Sequence, residues 1–281
     1  MLIGPMKPKA PDAAAASVQS VNWFLGIFVG ALTIISMSTA DAQTRAAGFN
    51  PAEEWLAQAR AGVISSPINA LFVVGDSFSA TGPVTDPSAN LQKWPVFLSN
   101  LLGIVYTQSR NQAVGEAQVE TISLDGRIIP GLQDQLRAMP AGQRKSGLLV
   151  IWIWTNNPTN IRAALRAGVN TAHSMGFRRL LIPSLFDSSK MPLFRQGKTQ
   201  AEIDQASMTL SGINNNLLAF IPRLRRLHPD MKIYTVDVFT KMNDYFATPA
   251  NYAEYVTNSD GVHPTIVMQN LLAQWFYAAI H

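Results

Sequence analysis

No cysteine occurs among the 281 residues. Disulfides, thiolate metal sites and a cysteine nucleophile are therefore excluded, and stability has to come from packing even outside the cytoplasm. Charge is scarce as well: Asp, Glu, Lys and Arg make up 14% of the chain, and the formal net charge is +4. So mild a surplus leaves no electrostatic footprint for nucleic acid, and none is expected as a partner. Arg223, Arg225 and Arg226 do cluster, but they close a helical stretch just before Pro229, where cations complement a helix C-terminus. Long polar or low-complexity tracts are also missing, which argues against extensive disorder beyond the first sixty or so residues. What is there instead is apolar: 47% of the residues, enough for one large domain with its own core.

The N-terminal part reads differently. Lys7 and Lys9 precede an apolar stretch from Trp23 to Met37, and Ala40-Asp41-Ala42 follows it. A basic start, a short apolar run and a small-x-small site are the layout of a secretory signal. The run is shorter than the ~20 residues of a membrane-spanning helix. Residues 1–42 are read as a signal peptide or an uncleaved anchor, 43–69 as a lead-in with a short helix around Ala52 to Ala61, and 70–281 as the main domain. A secreted or periplasmic location is expected, with membrane contact only through the leader or a lipid substrate.

Five apolar runs have the length and continuity of strands buried on both faces: Ala70 to Val74, Gln118 to Ile122, Leu148 to Trp154, Arg179 to Ile182 and Lys232 to Val236. Helical spacing lies between them. Trp94, Phe97, Leu98, Leu101 and Leu102 mark one apolar face, and Ile161, Leu165, Val169 and Ala172 another, with Asn160 or Thr159 as N-cap. Ile203, Leu210, Ile213, Leu217, Phe220 and Leu224 mark a long third helix. Alternating strands and helices call for a parallel sheet of about five strands with right-handed crossovers and helices on both sides, a three-layer α/β/α sandwich. In such sheets reactive groups gather at the carboxyl ends of the strands. Ser77 follows the first run and Asn156 the third, so both reach the same rim.

Two segments carry the chemistry. Gly75-Asp76-Ser77 follows Leu71-Phe72-Val73-Val74, and Asp260-Gly261-Val262-His263-Pro264-Thr265 lies near the C-terminus. A serine hydroxyl is a poor nucleophile until a base takes its proton. His263 is the candidate base, and Asp260, three residues earlier, can reach the far ring nitrogen and fix the tautomer. The other histidines fit other roles: His228 sits in a basic helix end, His173 in a helical stretch, and His281 is terminal. Gly-x-Ser-x-Gly occurs nowhere, so the strained elbow of the α/β-hydrolases is excluded.

These residues resemble the GDSL or SGNH hydrolases, a family of esterases and lipases. Phe72-Val73-Val74-Gly75-Asp76-Ser77-Phe78-Ser79-Ala80-Thr81-Gly82 is similar to the family's first block, in which the serine is the nucleophile. Asn111-Gln112-Ala113-Val114-Gly115 is similar to the second, Trp154-Thr155-Asn156-Asn157 occupies the third, and Asp260 to Thr265 matches the last. Trp94, Leu101-Leu102-Gly103 and Met175 to Pro183 suit the subgroup of larger bacterial and plant-type lipases. The resemblance implies a flavodoxin-like sheet and the catalytic residues Ser77, Asp260 and His263. It also implies an oxyanion hole from the main-chain N–H of Ser77 and Gly115 and the amide of Asn156. No metal or organic cofactor is implied, and a monomer is expected.

The chain departs from the family pattern in two places. Where the third block has Gly-x-Asn-Asp, Trp154 replaces the glycine and Asn157 the aspartate. Trp154 is either a ring stacked on substrate or the last packed residue of its strand. In the second block the oxyanion glycine aligns with Gly115 or with Glu116, and Gly115 is the reading adopted. The loop from Leu185 to Lys198, with Phe186, Met191, Pro192, Leu193 and Phe194, is expected to shape a pocket for lipid or short fatty esters. Tyr245, Phe246, Tyr252 and Tyr255 either stack on sugar rings, which suits a polysaccharide deacetylase, or pack beneath a loop. A small-molecule, lipid or glycan ester is thus the expected substrate. A catalytically weak glycan- or lipid-binding relative and a phospholipid-active lipase are the alternatives.

Overall fold

The computed structural model describes residues 67–82, 92–154, 156 and 160–281. The leader, the helix expected around Ala52 to Ala61, and Thr155, Asn157 and Thr159 lie outside the described residues. In chain order the elements are β1 (Leu71–Gly75), α1 (Trp94–Leu101), β2 (Ile122–Leu124), β3 (Arg127–Ile129), α2 (Leu132–Arg137), β4 (Leu148–Trp152) and α3 (Ile161–Ser174). They continue with β5 (Arg179–Pro183), α4 (Pro192–Arg195), α5 (Gln200–Leu227), β6 (Lys232–Val236), α6 (Val238–Phe246), α7 (Pro249–Asn258) and α8 (Ile266–Ile280).

Four parallel strands form the central sheet in the order β1-β4-β5-β6. Every residue of β1, β4 and β5 is buried, which is why these segments are apolar throughout rather than alternating. Helix α1 packs on α8, while α2, α3 and α5 pack in series, so two helical layers enclose the sheet. Trp152 on β4 meets Trp94 of α1 and Phe276 of α8 edge-on, with ring centroids 6.2 and 5.5 Å away. Each such aromatic removes roughly 150–250 Å² from water, on the order of 4–6 kcal/mol before the cost of ordering the chain.

The segment Gln118 to Ile122 is not a strand of this sheet. Ile122–Leu124 and Arg127–Ile129 pair instead as a small antiparallel hairpin. Its two-residue turn is Asp125-Gly126, both with positive φ (49° and 75°), the conformation an Asp-Gly pair adopts in type I′ turns. The outer edge of β1 is taken by an earlier, polar stretch. Val73 makes a parallel bridge to Asn111, and the N–H groups of Gln112 and Val114 donate to Val73 O and Gly75 O at 2.9 and 3.2 Å. Asn160 does occupy the N-cap of α3, but with left-handed backbone (φ 55°) and no side-chain cap bond.

Candidate active site

β1 ends at a position only glycine can hold. A Cβ on Gly75 would lie 2.6 Å from Trp152 O and 2.8 Å from Ser79 Oγ. The same residue is bracketed by a buried amide: Gly75 N–H donates to Gln135 Oε1 at 2.8 Å, and Gln135 Nε2 donates to Gly75 O at 3.0 Å. Gln135 thus takes the Gly75 N–H and shares the Gly75 carbonyl with Val114 N–H of the strap. The chain then turns. Asp76 is fully buried; its carboxylate accepts from Phe78 N–H at 3.1 Å. Its carbonyl accepts from Ser79 N–H and Ala80 N–H at 3.0 Å each. Ser77 is left at the crest of this turn, partly exposed.

The strap alongside β1 is knotted to that turn by Asn111. Its Nδ2 donates to Ser79 O at 2.9 Å, to Thr81 Oγ1 at 3.1 Å and to Tyr106 Oη at 3.1 Å, while its Oδ1 accepts from Ala113 N–H at 3.1 Å. The strap continues to Gly115, beside Ser77 in a common cavity, and to Glu116, in left-handed backbone (φ 65°). The Glu116 carboxylate pairs with Arg127 of the hairpin at 2.9 Å, so its charge is occupied there. Asn156 is buried and donates through Nδ2 to Ala117 O at 2.9 Å, which ties the end of β4 to the same strap.

The late loop forms the other half. Asp260 Oδ2 lies 2.5 Å from His263 Nδ1. A carboxylate only accepts, so the contact places the ring proton on Nδ1 and leaves Nε2 of the neutral ring with its lone pair. Asp260 Oδ1 accepts from the N–H of His263 at 2.7 Å and of Val262 at 3.0 Å. The bond to the His263 ring, helped by these two N–H groups and opposed by partial burial, holds the Asp260 carboxyl well below the usual carboxylate range. Three contacts prop the loop from beneath. Leu193 N–H donates to Gly261 O at 3.0 Å, Tyr255 Oη donates to Val262 O at 2.9 Å, and Gly261 N–H donates to Ser259 Oγ at 3.1 Å. Gly261 has φ 90°, where a side chain would be strained.

Ser77, Gly115, Asp260 and His263 border one cavity of about 440 Å³, together with Lys93 and Gln269. Trp154 and Phe186, the two residues considered for substrate contact, are not in its wall. Trp154 is fully buried and donates its indole N–H to Pro183 O at 3.0 Å. Phe186 is buried against the Phe78 ring at 4.5 Å. The loop from Leu185 to Lys198 backs the Asp260 loop through Leu193 instead of lining the cavity, with Leu185 and Met191 buried. The aromatic group is likewise packing: Phe246 lies 5.6 Å from Tyr252 and 4.9 Å from Tyr255, ring to ring, and Tyr255 is fully buried. No group of histidine and carboxylate side chains among the described residues is arranged to hold a metal ion.

The model of the GDSL-like lipase/acylhydrolase family matches residues 71–276. The chain belongs to that family. It is an acylhydrolase, acting on ester bonds. No curated protein matches the sequence. Among solved structures, the acetyl xylan esterase AlAXEase is 9% identical, with 75% of this chain and all of that one (100%) covered at a TM-score of 0.45. A carbohydrate acetylesterase family member from Sinorhizobium meliloti is 13% identical over 76% of this chain and 97% of its own, at 0.40. A family 2 carbohydrate esterase from Corynascus thermopiles (Myceliophthora fergusii), solved with its carbohydrate binding domain, is 15% identical over 78% and 69%, at 0.41. Likeness at these scores says nothing of what this acylhydrolase acts on.

Sequence reasoning passed over Gln135, Lys93, Gln269 and the supporting role of Tyr255. A usable signal existed for two of them. Gln135 stands between Leu132 and Leu136 on the buried face of α2, and Gln269 beside Met268 on that of α8. A polar residue on an apolar stripe needs a partner inside the protein.

Proposed function

We propose that this acylhydrolase is a serine esterase in which Ser77 is the nucleophile, His263 its base and Asp260 the group that orients the ring and stabilises its charged form. The observation that carries the reading is the Asp260–His263 contact at 2.5 Å, on a ring that borders the same cavity as Ser77. An ester carbonyl enters that cavity. Ser77 Oγ attacks it while His263 Nε2 takes the hydroxyl proton, and Asp260 stabilises the imidazolium. The oxyanion is met by the N–H of Ser77 and Gly115 and by the second amide N–H of Asn156, whose first is bonded to Ala117 O. His263 then protonates the leaving alcohol. Water, deprotonated by the same nitrogen, attacks the acyl-enzyme and releases the acid.

A cavity of about 440 Å³ falls in the range of small-ligand pockets, which supports esters with short acyl groups over long-chain lipids. The leader-like stretch at Trp23 to Met37 supports release from the cytoplasm, which fractionation of cells making the full chain tests. The enzymatic reading is tested by Ser77→Ala. On a chromogenic short-chain ester the variant is expected to lose turnover by about 10³-fold or more, together with all labelling by a fluorophosphonate probe. Full activity in Ser77→Ala would overturn it.

A further inference from the structure

Lys93 is in an unusual place for a lysine. It is the N-cap residue of α1, with extended backbone (φ −110°, ψ 158°) and no side-chain cap bond, and the first turn of that helix contains no acidic residue. A cation at a helix N-terminus is opposed by the helix dipole, so something else must hold it there. That something is the site: Lys93 Nζ donates to Ser77 O at 2.8 Å, and the residue borders the cavity. Asp76 and Asp260 lie close enough for their charges to favour the ammonium against the burial that lowers its pKa.

The bond completes a grip on both peptides that flank Ser77. In the peptide after it, the carbonyl of Ser77 is taken by Lys93 and the N–H of Phe78 by Asp76 Oδ1 at 3.1 Å. In the peptide before it, the carbonyl of Asp76 accepts from Ser79 N–H and Ala80 N–H. A trans peptide is planar, so fixing that carbonyl also fixes the direction of the Ser77 N–H on its other side. Of these contacts, only the one from Lys93 reaches in from outside the turn. The next residue of α1 reaches the other half of the site: Trp94 N–H donates to Gln269 Oε1 at 2.9 Å. Gln269 is on α8, which begins directly after the His263 loop and is capped by Thr265.

We propose that Lys93 is a positioning residue for Ser77, acting through the Ser77 carbonyl, and that the start of α1 braces the serine turn against the helix that follows His263. The inference rests on the reading of Ser77 as nucleophile. Lys93 sets the geometry of attack and does not hold the ester, so its loss falls on kcat rather than KM.

The test compares Lys93→Met, which keeps the length but removes donor and charge, with Lys93→Arg, which keeps both, using Ser77→Ala in the same assay. Misplacing a reacting group by about 1 Å costs about 100-fold, so Lys93→Met is expected to lower kcat by about 10- to 100-fold with KM changed less than about threefold. The rate of fluorophosphonate labelling should fall in parallel, because phosphonylation uses the same attack without an alcohol to expel. Lys93→Arg should recover part of both rates. If Lys93→Met does not fold, Lys93→Gln carries the same comparison. Wild-type kcat and labelling in a folded neutral variant, a change confined to KM, or Lys93→Arg no better than the neutral variant would each overturn the proposal. Should Ser77→Ala itself stay active, the nucleophile assignment fails instead, and the two failures are told apart.

Discussion

Two imidazole–carboxylate pairs stand at opposite edges of the sheet. His263–Asp260 lies at the carboxyl edge with a separation of 2.5 Å, and His173–Asp230 at the amino edge with 2.9 Å. The ring exposures are close, 40% and 32%, so burial does not separate them. The surroundings do. Asp230 is shared between His173 and Arg178, the latter at 3.1 Å, and His173 faces another imidazole, His228, at 4.8 Å. Asp260 spends its second oxygen on two main-chain N–H groups of its own loop, and the free edge of His263 opens on the cavity that holds Ser77. A histidine–aspartate contact is therefore not a catalytic feature in itself. In the proposed mechanism what sets Asp260 apart is that its carboxylate serves a single ring, and that this ring borders the cavity that Ser77 also borders.

Replacing each carboxylate by its amide gives the largest contrast. Asp260→Asn leaves the loop almost unchanged in shape but donates where it should accept, and so favours the wrong tautomer of His263. Ester turnover should fall by about 10³- to 10⁴-fold. Asp230→Asn removes a pair in which the aspartate side chain is 52% exposed, so turnover should stay at the wild-type level and stability should change by less than about 1 kcal/mol. Steady-state kinetics and chemical denaturation on both variants decide it. Equal losses of turnover would erase the distinction between the pairs.

A smaller effect tests the props. Tyr255→Phe removes only the hydroxyl that donates to Val262 O at 2.9 Å, in a side chain that is fully buried. Leaving such a carbonyl without its partner costs about 1–3 kcal/mol, part of which appears as loosening of the Asp260 loop. Turnover is expected to fall by about 3- to 10-fold with KM nearly constant, since aim is lost rather than contact. Unchanged kcat would mean that Leu193 and Ser259 suffice to hold the loop.

The regular layers of this fold were legible because the physics behind them is one-dimensional. β1 and β4 are buried on both faces, so their apolar runs announce them, and α1, α3 and α5 show the spacing of a single buried stripe. Gln118 to Ile122 was read as a strand of the sheet although only Val119 and Ile122 in it are apolar, while the stronger local signal for a hairpin, Asp125-Gly126, went unweighed. The polar strap at Asn111 joins β1 through one bridge and two further bonds, which no hydropathy pattern records. Ser77 and the Asp260–His263 pair could be singled out because the chemistry proposed for them is carried by residue type and short spacing. Lys93 and Gln135 were not, for they act through main-chain atoms of residues 16 and 60 positions away. Trp154, Phe186 and Tyr255 show the remaining ambiguity: an aromatic buried beneath a loop and an aromatic lining a pocket have the same sequence pattern.

The finest contrast between the two edges is in their response to acid. At the amino edge, burial and the neighbouring His173 pull His228 below its ordinary pKa of 6.5, while Asp230 pulls the other way; Arg178 is the further charge there. The unfolded chain then binds the proton more readily than the folded one. His228 therefore contributes stability above its ordinary value, and that contribution fades as pH falls through 6.5 toward the folded value. At the carboxyl edge Asp260 is also depressed, from an ordinary 3.8, so its contribution persists far lower and is lost only as pH falls below that value. Between pH 8 and 5 the loss of the His228 contribution should be visible. The effect is small because His228 is largely solvated: a fraction of a kcal/mol after screening, or about 1 °C in Tm. His228→Gln should flatten that part of the Tm profile while leaving the slope below about pH 4 in place, and Asp260→Asn should flatten the slope below about pH 4. A His228→Gln profile superimposable on the wild type from pH 8 to 5 would remove the amino edge as a source of acid sensitivity.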